Sequence, residues 1–143
     1  MNAIEEKIKQ LESFQKDVEG ITIELSKEYK AEIIDMNTAQ LEDGKEATGQ
    51  SISPGYRPLT IRIKREKGQP TNKVTLKDTG EFHKQFDLVF FPTSFVIVSD
   101  DDKAQKLERK YGKDIYGLNE KNLQELIDLV KPDLIKHFRK LVA

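Results

Sequence analysis

Cysteine is absent from the 143-residue chain, which removes disulfides, thiolate nucleophiles and cysteine-based zinc sites together and fits assembly in a reducing cytoplasm. Histidine occurs only twice. His83 has no Cys, His or paired carboxylate at ligand spacing and reads as a surface or interface imidazole, while His137 falls at the edge of a helical stripe. Net charge is also nearly missing, since 24 basic residues face 25 acidic ones, so any polyanion binding must rest on a local patch. No apolar run approaches the ~20 residues that cross a bilayer, and the start MNAIEEKIKQ lacks the apolar stretch of a signal peptide. The expectation is a soluble, non-membrane protein. There is no Gly-rich phosphate loop, no His-x-x-x-His pair and no Gly-x-Ser-x-Gly elbow. No catalytic, cofactor-binding or metal residue is assigned, and no small-molecule ligand is expected.

At 143 residues with 36% apolar content the chain is expected to bury one modest core as a single domain, 1–143. Residues 3–43 place Ile4, Ile8, Leu11, Phe14, Val18, Ile21, Leu25, Tyr29, Ile33 and Met36 in steps of three and four, which predicts a long helical segment with one apolar stripe. Gly20, followed by β-branched Ile21-Thr22-Ile23, predicts a kink or break there. The same rhythm permits a coiled coil, but packing on the chain's own domain is the simpler reading.

Residues 43–58 carry three Gly and two Pro and read as a long loop, of the kind that orders on contact with a neighbour. Pro58 suits the first position of a helical turn at Leu59-Thr60-Ile61. The segment 57–77 holds seven basic residues against the single acid Glu66. A phosphate-contact patch drawn from Arg57, Arg62, Lys64, Arg65, Lys67 and Lys73 is weighed against a solvated or subunit-facing basic loop. The second is preferred, because no aromatic interleaves these charges between Thr60 and Lys77.

Asp78 with Glu81 three residues on resembles a capping box opening a short helical turn at Thr79 to Lys84, or else the chain makes a tight turn that exploits Gly80. Residues 85–99 then form two apolar runs around Pro92-Thr93, a β-hairpin, with 73–77 as a candidate third strand. Alternation puts apolar side chains on both hairpin faces, so one face should pack on the helices and the other needs further cover, from the C-terminal helix or from a neighbouring subunit. Asp100-Asp101-Asp102 suits the start of a helix at 103–111 ending at Gly112, rather than a cation site. Asn119 caps a last helix over 120–141, kinked at Pro132. The fold class is therefore α+β, with a long N-terminal helical segment, a small antiparallel hairpin or meander and a kinked C-terminal helix.

The order of these features resembles the small tail-completion or virion-morphogenesis proteins of tailed bacteriophages and prophages, including the Mu-like type. The residues that carry the resemblance are Pro54-Gly55-Tyr56, Arg57-Pro58-Leu59-Thr60, Lys64, Gly68-Gln69-Pro70, Leu76-x-Asp78-Thr79-Gly80-Glu81-Phe82 leading to Phe86, and Tyr116-Gly117-Leu118 before the last helix. Two stretches depart from the family pattern, Gln85-Phe86 in place of Ser-Ile and Lys113-Asp114-Ile115-Tyr116 ahead of the Gly-Leu step. The resemblance implies a non-enzymatic neck or tail protein of the virion, assembled in the bacterial cytoplasm, forming a homo-oligomeric ring and meeting other neck and tail proteins. The expected subunit contacts are Tyr56, Pro58, Leu59, Phe82, Phe86, Leu88, Val89, Phe90, Phe91, Phe95 and Ile97. A small nucleic-acid-binding or regulatory protein using 57–77 is the alternative.

Overall fold

The structure, a computed structural model, describes residues 2–143. It is α+β, with six α-helices and one two-stranded antiparallel sheet among the described residues. Helix α1 (Ala3–Ser26) starts on a capping box in which Asn2 Oδ1 accepts from the Glu5 amide at 2.8 Å and Glu5 Oε2 accepts from the Asn2 amide at 3.1 Å. The helix does not break at Gly20. A Cβ there would stand 3.4 Å from the Pro92 carbonyl oxygen, an ordinary contact, so the hairpin turn lies beside α1 at this point. The interruption comes instead at a 3₁₀ turn, Lys27–Tyr29, before α2 (Lys30–Glu42). The Thr22 and Ser26 hydroxyls donate to the Val18 and Thr22 carbonyls at 2.7 Å each, and such back-bonding bends a helix.

The loop 43–57 is built onto its own domain rather than left for a neighbour to order. Ile52 is buried, its amide donates to the Gly44 carbonyl, and the Ala47 amide donates to the Asp114 carbonyl. Helix α3 (Pro58–Glu66) follows with proline in its first turn.

The candidate third strand at 73–77 does not pair into the sheet, although Val74, Thr75 and Leu76 are all buried. Side chains take the place of a strand partner. Tyr56 Oη accepts from the Thr75 amide at 3.0 Å, His83 Nε2 donates to the Thr75 carbonyl at 2.9 Å, and Lys64 Nζ donates to the Lys77 carbonyl at 3.2 Å. With Thr75 bonded through both backbone groups and Leu76 held at a φ of 56°, outside the extended region, the segment does not run on as a strand.

The Asp78/Glu81 capping box does not form. Helix α4 (Glu81–Lys84) is entered through Gly80 at φ 89°, while the Asp78 carboxylate turns to Lys67 Nζ at 2.7 Å. Strands β1 (Phe86–Phe90) and β2 (Phe95–Ser99) pair with Leu88 opposite Ile97. Helix α5 (Ala104–Tyr111) ends at Gly112, whose φ of 87° favours glycine. None of the three preceding acids caps it: Asp101 Oδ2 accepts from the Lys103 amide at 3.1 Å in the turn before the helix, and the N-cap residue Lys103 makes no side-chain capping bond.

A 3₁₀ turn at Lys113–Ile115 leads to α6 (Glu120–Val142), where Asn119 Oδ1 accepts from the Asn122 amide at 3.0 Å and the helix continues through Pro132. The core joins Ile33 and Leu41 of α2, Phe82, Phe86, Leu88, Ile97, Ile115, and Leu126 and Val130 of α6. Among the described residues no helix is long and apolar enough to cross a membrane.

Two side chains of α2 fasten the last third of the chain. Asn37 Nδ2 donates to the Ile115 carbonyl at 3.0 Å and Asn37 Oδ1 accepts from the Gly117 amide at 2.9 Å. Gln40 Nε2 donates to the Gly117 carbonyl at 2.9 Å, and its Oε1 accepts from the Asn119 amide and from Asn122 Nδ2. This amide clamp fixes where α6 begins.

Candidate assembly surface

The hairpin's backbone bonds determine what it presents outward. The Phe91 amide donates to the Ser94 carbonyl at 2.7 Å and the Asp100 amide to the Gln85 carbonyl at 3.1 Å. With the observed register, the bonded pairs fall at 85/100, 87/98, 89/96 and 91/94. The amides and carbonyls of 86, 88 and 90 therefore point off the outer edge of β1, and those of 95, 97 and 99 off the outer edge of β2.

These two edges differ. On β1 the Leu88 amide donates to Asp87 Oδ1 at 2.8 Å, and Lys30 Nζ of α2 sits 2.6 Å from the same oxygen. Both bonds hold the Asp87 carboxyl below the usual carboxylate range, Lys30 acting most strongly. Among the described residues the Phe95 and Ile97 backbone groups on β2 have no bond beyond the hairpin. They face an open trough of about 420 Å³, walled by Glu108, Lys113, Tyr116 and Gly117. The Tyr116 hydroxyl is enclosed beside it without a hydrogen-bond partner. Burial, and after it Glu108, pushes its ionisation well above the ordinary phenol range.

The faces divide as well. Phe86, Leu88 and Ile97, together with Phe82 from α4, are each under a tenth exposed. These four expected subunit contacts are inside the chain's own core and are not available to a partner. Phe82 and Phe86 meet edge to face at 5.0 Å, the arrangement their ring quadrupoles favour. Tyr56, Phe90 and Phe95 are half-buried. Tyr56 lies 4.9 Å beneath Lys64 Nζ, while Phe90 packs on Phe95 at 5.9 Å and carries Lys27 over its ring. The expected contacts that remain open are Pro58, Leu59, Val89 and Phe91. Val96 joins them, since Val89, Val96 and Phe91 are 43, 44 and 48% exposed. Val96 was readable from the alternation, because it stands opposite Val89.

The basic segment is largely neutralised from within. Lys64 is buried and turned inward, away from any polyanion. Lys67 pairs with Asp78, Lys73 with Asp43 at 3.7 Å and Lys77 with Glu42 at 2.8 Å. The hydrogen bonds from Lys67 and Lys77 hold the Asp78 and Glu42 carboxyls below their usual range. Of the segment's seven basic residues, Arg57, Arg62 and Arg65 make neither an ion pair nor, like Lys64, an inward hydrogen bond among the described residues.

His83 is buried, not at the surface. Its Nε2 meets a carbonyl, so the ring is the Nε2–H tautomer and Nδ1 is left without a partner. No group of three or more potential metal ligands occurs among the described residues. The chain matches no protein-family model, no curated protein and no solved structure.

Proposed function

We propose that this chain is a non-enzymatic structural protein of the bacteriophage neck or tail, of the tail-completion or head–tail joining type, that works by assembling into a ring. The observation carrying this reading is the unfinished sheet. A two-stranded hairpin with one apolar face on the core, the other in water and neither edge paired with a further strand is completed by another chain. The amide clamp and the internally bonded 67–80 segment hold that hairpin on a stiff base, as a connector that transmits load requires. Virion localisation and contacts with neck and tail neighbours follow from the same reading.

Native mass spectrometry and solution scattering of the protein, alone and mixed with recombinant neck and tail components, test it. Defined oligomers that weaken in Val89→Lys or Val96→Lys support it. A chain that stays monomeric with every virion component would sink it. The nucleic-acid alternative is left with Arg57, Arg62 and Arg65. Three phosphate contacts give a log–log salt slope of about −3 on duplex DNA, and no binding at low salt removes that alternative.

A further inference from the structure

The two edges of the hairpin invite different neighbours. On β1 the Leu88 amide is taken by Asp87 Oδ1, Lys30 holds the same carboxylate, and α2 lies alongside the strand. On β2 the amides and carbonyls of Phe95 and Ile97 face the open trough, and among the described residues none of them is bonded. Unpaired backbone groups at every second residue of an extended strand are matched by one kind of occupant, a further extended backbone about 4.8 Å away.

The trough is sized for a single strand. At strand spacings of about 3.3 Å along the chain, 4.8 Å across and 10 Å through a packed layer, one residue fills about 160 Å³. The space beside residues 95–98 is about 420 Å³, room for roughly two to three residues. Its far side is closed by Glu108 of α5, Lys113, Tyr116 and Gly117, so a strand that enters cannot bring a sheet behind it.

That wall decides where the strand comes from. The β2 edge of a second copy would carry the same wall with it, and the β1 edge of a second copy is flanked by its own α2. The chain's spare strand-like stretch, 73–77, is bonded to Tyr56, Lys64 and His83. What fits is a lone extended segment, an arm or linear loop, of a different protein.

The pleat sets the side chains that segment should carry. A residue opposite Ile97 shares its inner face, where the Tyr116 ring packs on Phe86 at 5.5 Å and its hydroxyl is enclosed without a hydrogen-bond partner. Glu108 is close enough to disfavour the phenolate but does not bond the hydroxyl. A Ser or Thr at that position would supply the missing partner. The residues on either side of it fall on the outer face beside Val96 and Val98, and apolar side chains there would cover Val96, which is 44% exposed.

We propose that the β2 edge takes an extended segment of a partner protein as a third strand, with a hydroxyl-bearing residue opposite Ile97 between two apolar ones. This rests on the reading of the chain as part of an assembly and gives that assembly a partner of stated chemistry.

The test titrates the isotope-labelled full chain with the peptide Lys-Thr-Val-Thr-Val-Thr-Lys, and with peptides the chain selects from a displayed random heptapeptide library, while NMR follows amide hydrogen exchange. At saturation the Phe95 and Ile97 amides should exchange about tenfold more slowly, or slower still, with Leu88 unchanged. Replacing the central Thr of the peptide with Val should weaken binding about fivefold, the worth of one hydrogen bond. That difference should vanish in Tyr116→Phe, which keeps the ring against Phe86 and should be as stable as the wild type, since the hydroxyl it loses has no partner.

Unchanged exchange at Phe95 and Ile97 with every peptide overturns the proposal, as does equal binding of the Thr and Val peptides by the wild type. Protection of both amides in the free protein that grows with its concentration also overturns it, because the strand then comes from a second copy. Rings formed with virion components by a chain that takes up no peptide would end this inference and leave the structural reading standing. A chain that takes up the strand but stays monomeric with every virion component would do the reverse.

Discussion

Replacing Asn37 with alanine tests whether the amide clamp holds the two halves of the chain together. Asn37 is fully buried and so is Ile115, whose carbonyl it binds. Truncation leaves the Ile115 carbonyl without its donor and the Gly117 amide without its acceptor. A buried polar group deprived of its partner costs about 1–3 kcal/mol; that cost falls in full on the sealed Ile115 carbonyl and in part on the half-buried Gly117 amide. Adding a modest cavity term, the loss is about 3–5 kcal/mol, a large part of the ~5–15 kcal/mol by which a domain of this size is stable.

Urea unfolding reads this directly. With a slope of about 2 kcal/mol/M the midpoint falls by roughly 1.5–2.5 M at unchanged slope. Asn37→Asp does not rescue, because it keeps the acceptor for Gly117 but aims a carboxylate oxygen at the Ile115 carbonyl. Thr38→Ala is the control. That hydroxyl only back-bonds to Ile34 and Asp35 of its own helix, and its removal should shift stability by less than about 0.5 kcal/mol. A loss below about 1 kcal/mol in Asn37→Ala would refute the clamp as the element that seats α6.

Burial keeps His83 below the usual histidine range; the Thr75 carbonyl and Glu42 oppose that shift and Lys77 adds to it. The unfolded chain therefore binds the proton more readily, so the stability from the neutral ring is complete above the unfolded value near pH 6.5 and is lost as pH falls below it. The urea midpoint should drop between pH 7.5 and 5.5, and His83→Gln, which keeps a donor but does not titrate, should flatten that slope. A wild-type midpoint independent of pH in this window would contradict the buried tautomer. Lys64→Met keeps an aliphatic stem but removes the ammonium from over the Tyr56 ring and leaves the Lys77 carbonyl without its donor. It should cost about 1–2 kcal/mol in unfolding experiments while leaving any weak retention on DNA unchanged, since the ammonium faces inward.

The helices were legible in the sequence because their signals are local and redundant. An apolar stripe, Asn119 at one end and Gly112 at another each repeat what the neighbouring residues already say, and all three appear where the pattern puts them. The same redundancy fixes the hairpin, whose two runs and two-residue turn leave a single register. What could not be read is which of two partners a polar group takes. Asp78 had Glu81 at capping distance and Lys67 eleven residues away, and it bonds Lys67. Gly80 made that choice inexpensive, because its φ of 89° lets the chain enter α4 without a side-chain cap.

The failed third strand has the same origin, and it bears on function. Residues 73–77 alternate as a strand should, but Tyr56, Lys64, Gln69 and His83 reach their neighbourhood first and bond Thr75, Lys77 and Asp78. Three of these four come from the stretch 56–69 that sequence alone presented as a charged loop. Their inward turn does two things at once: it removes Lys64 from the basic surface and it denies the hairpin a third strand from its own chain. The sheet therefore stops at two strands with the β2 edge open, and the apolar outer face has no cover within the molecule. Had 73–77 paired with β2, the chain would have satisfied its own edge. The side-chain bonds that close the 56–83 region are thus part of the reason the hairpin gains no third strand from its own chain.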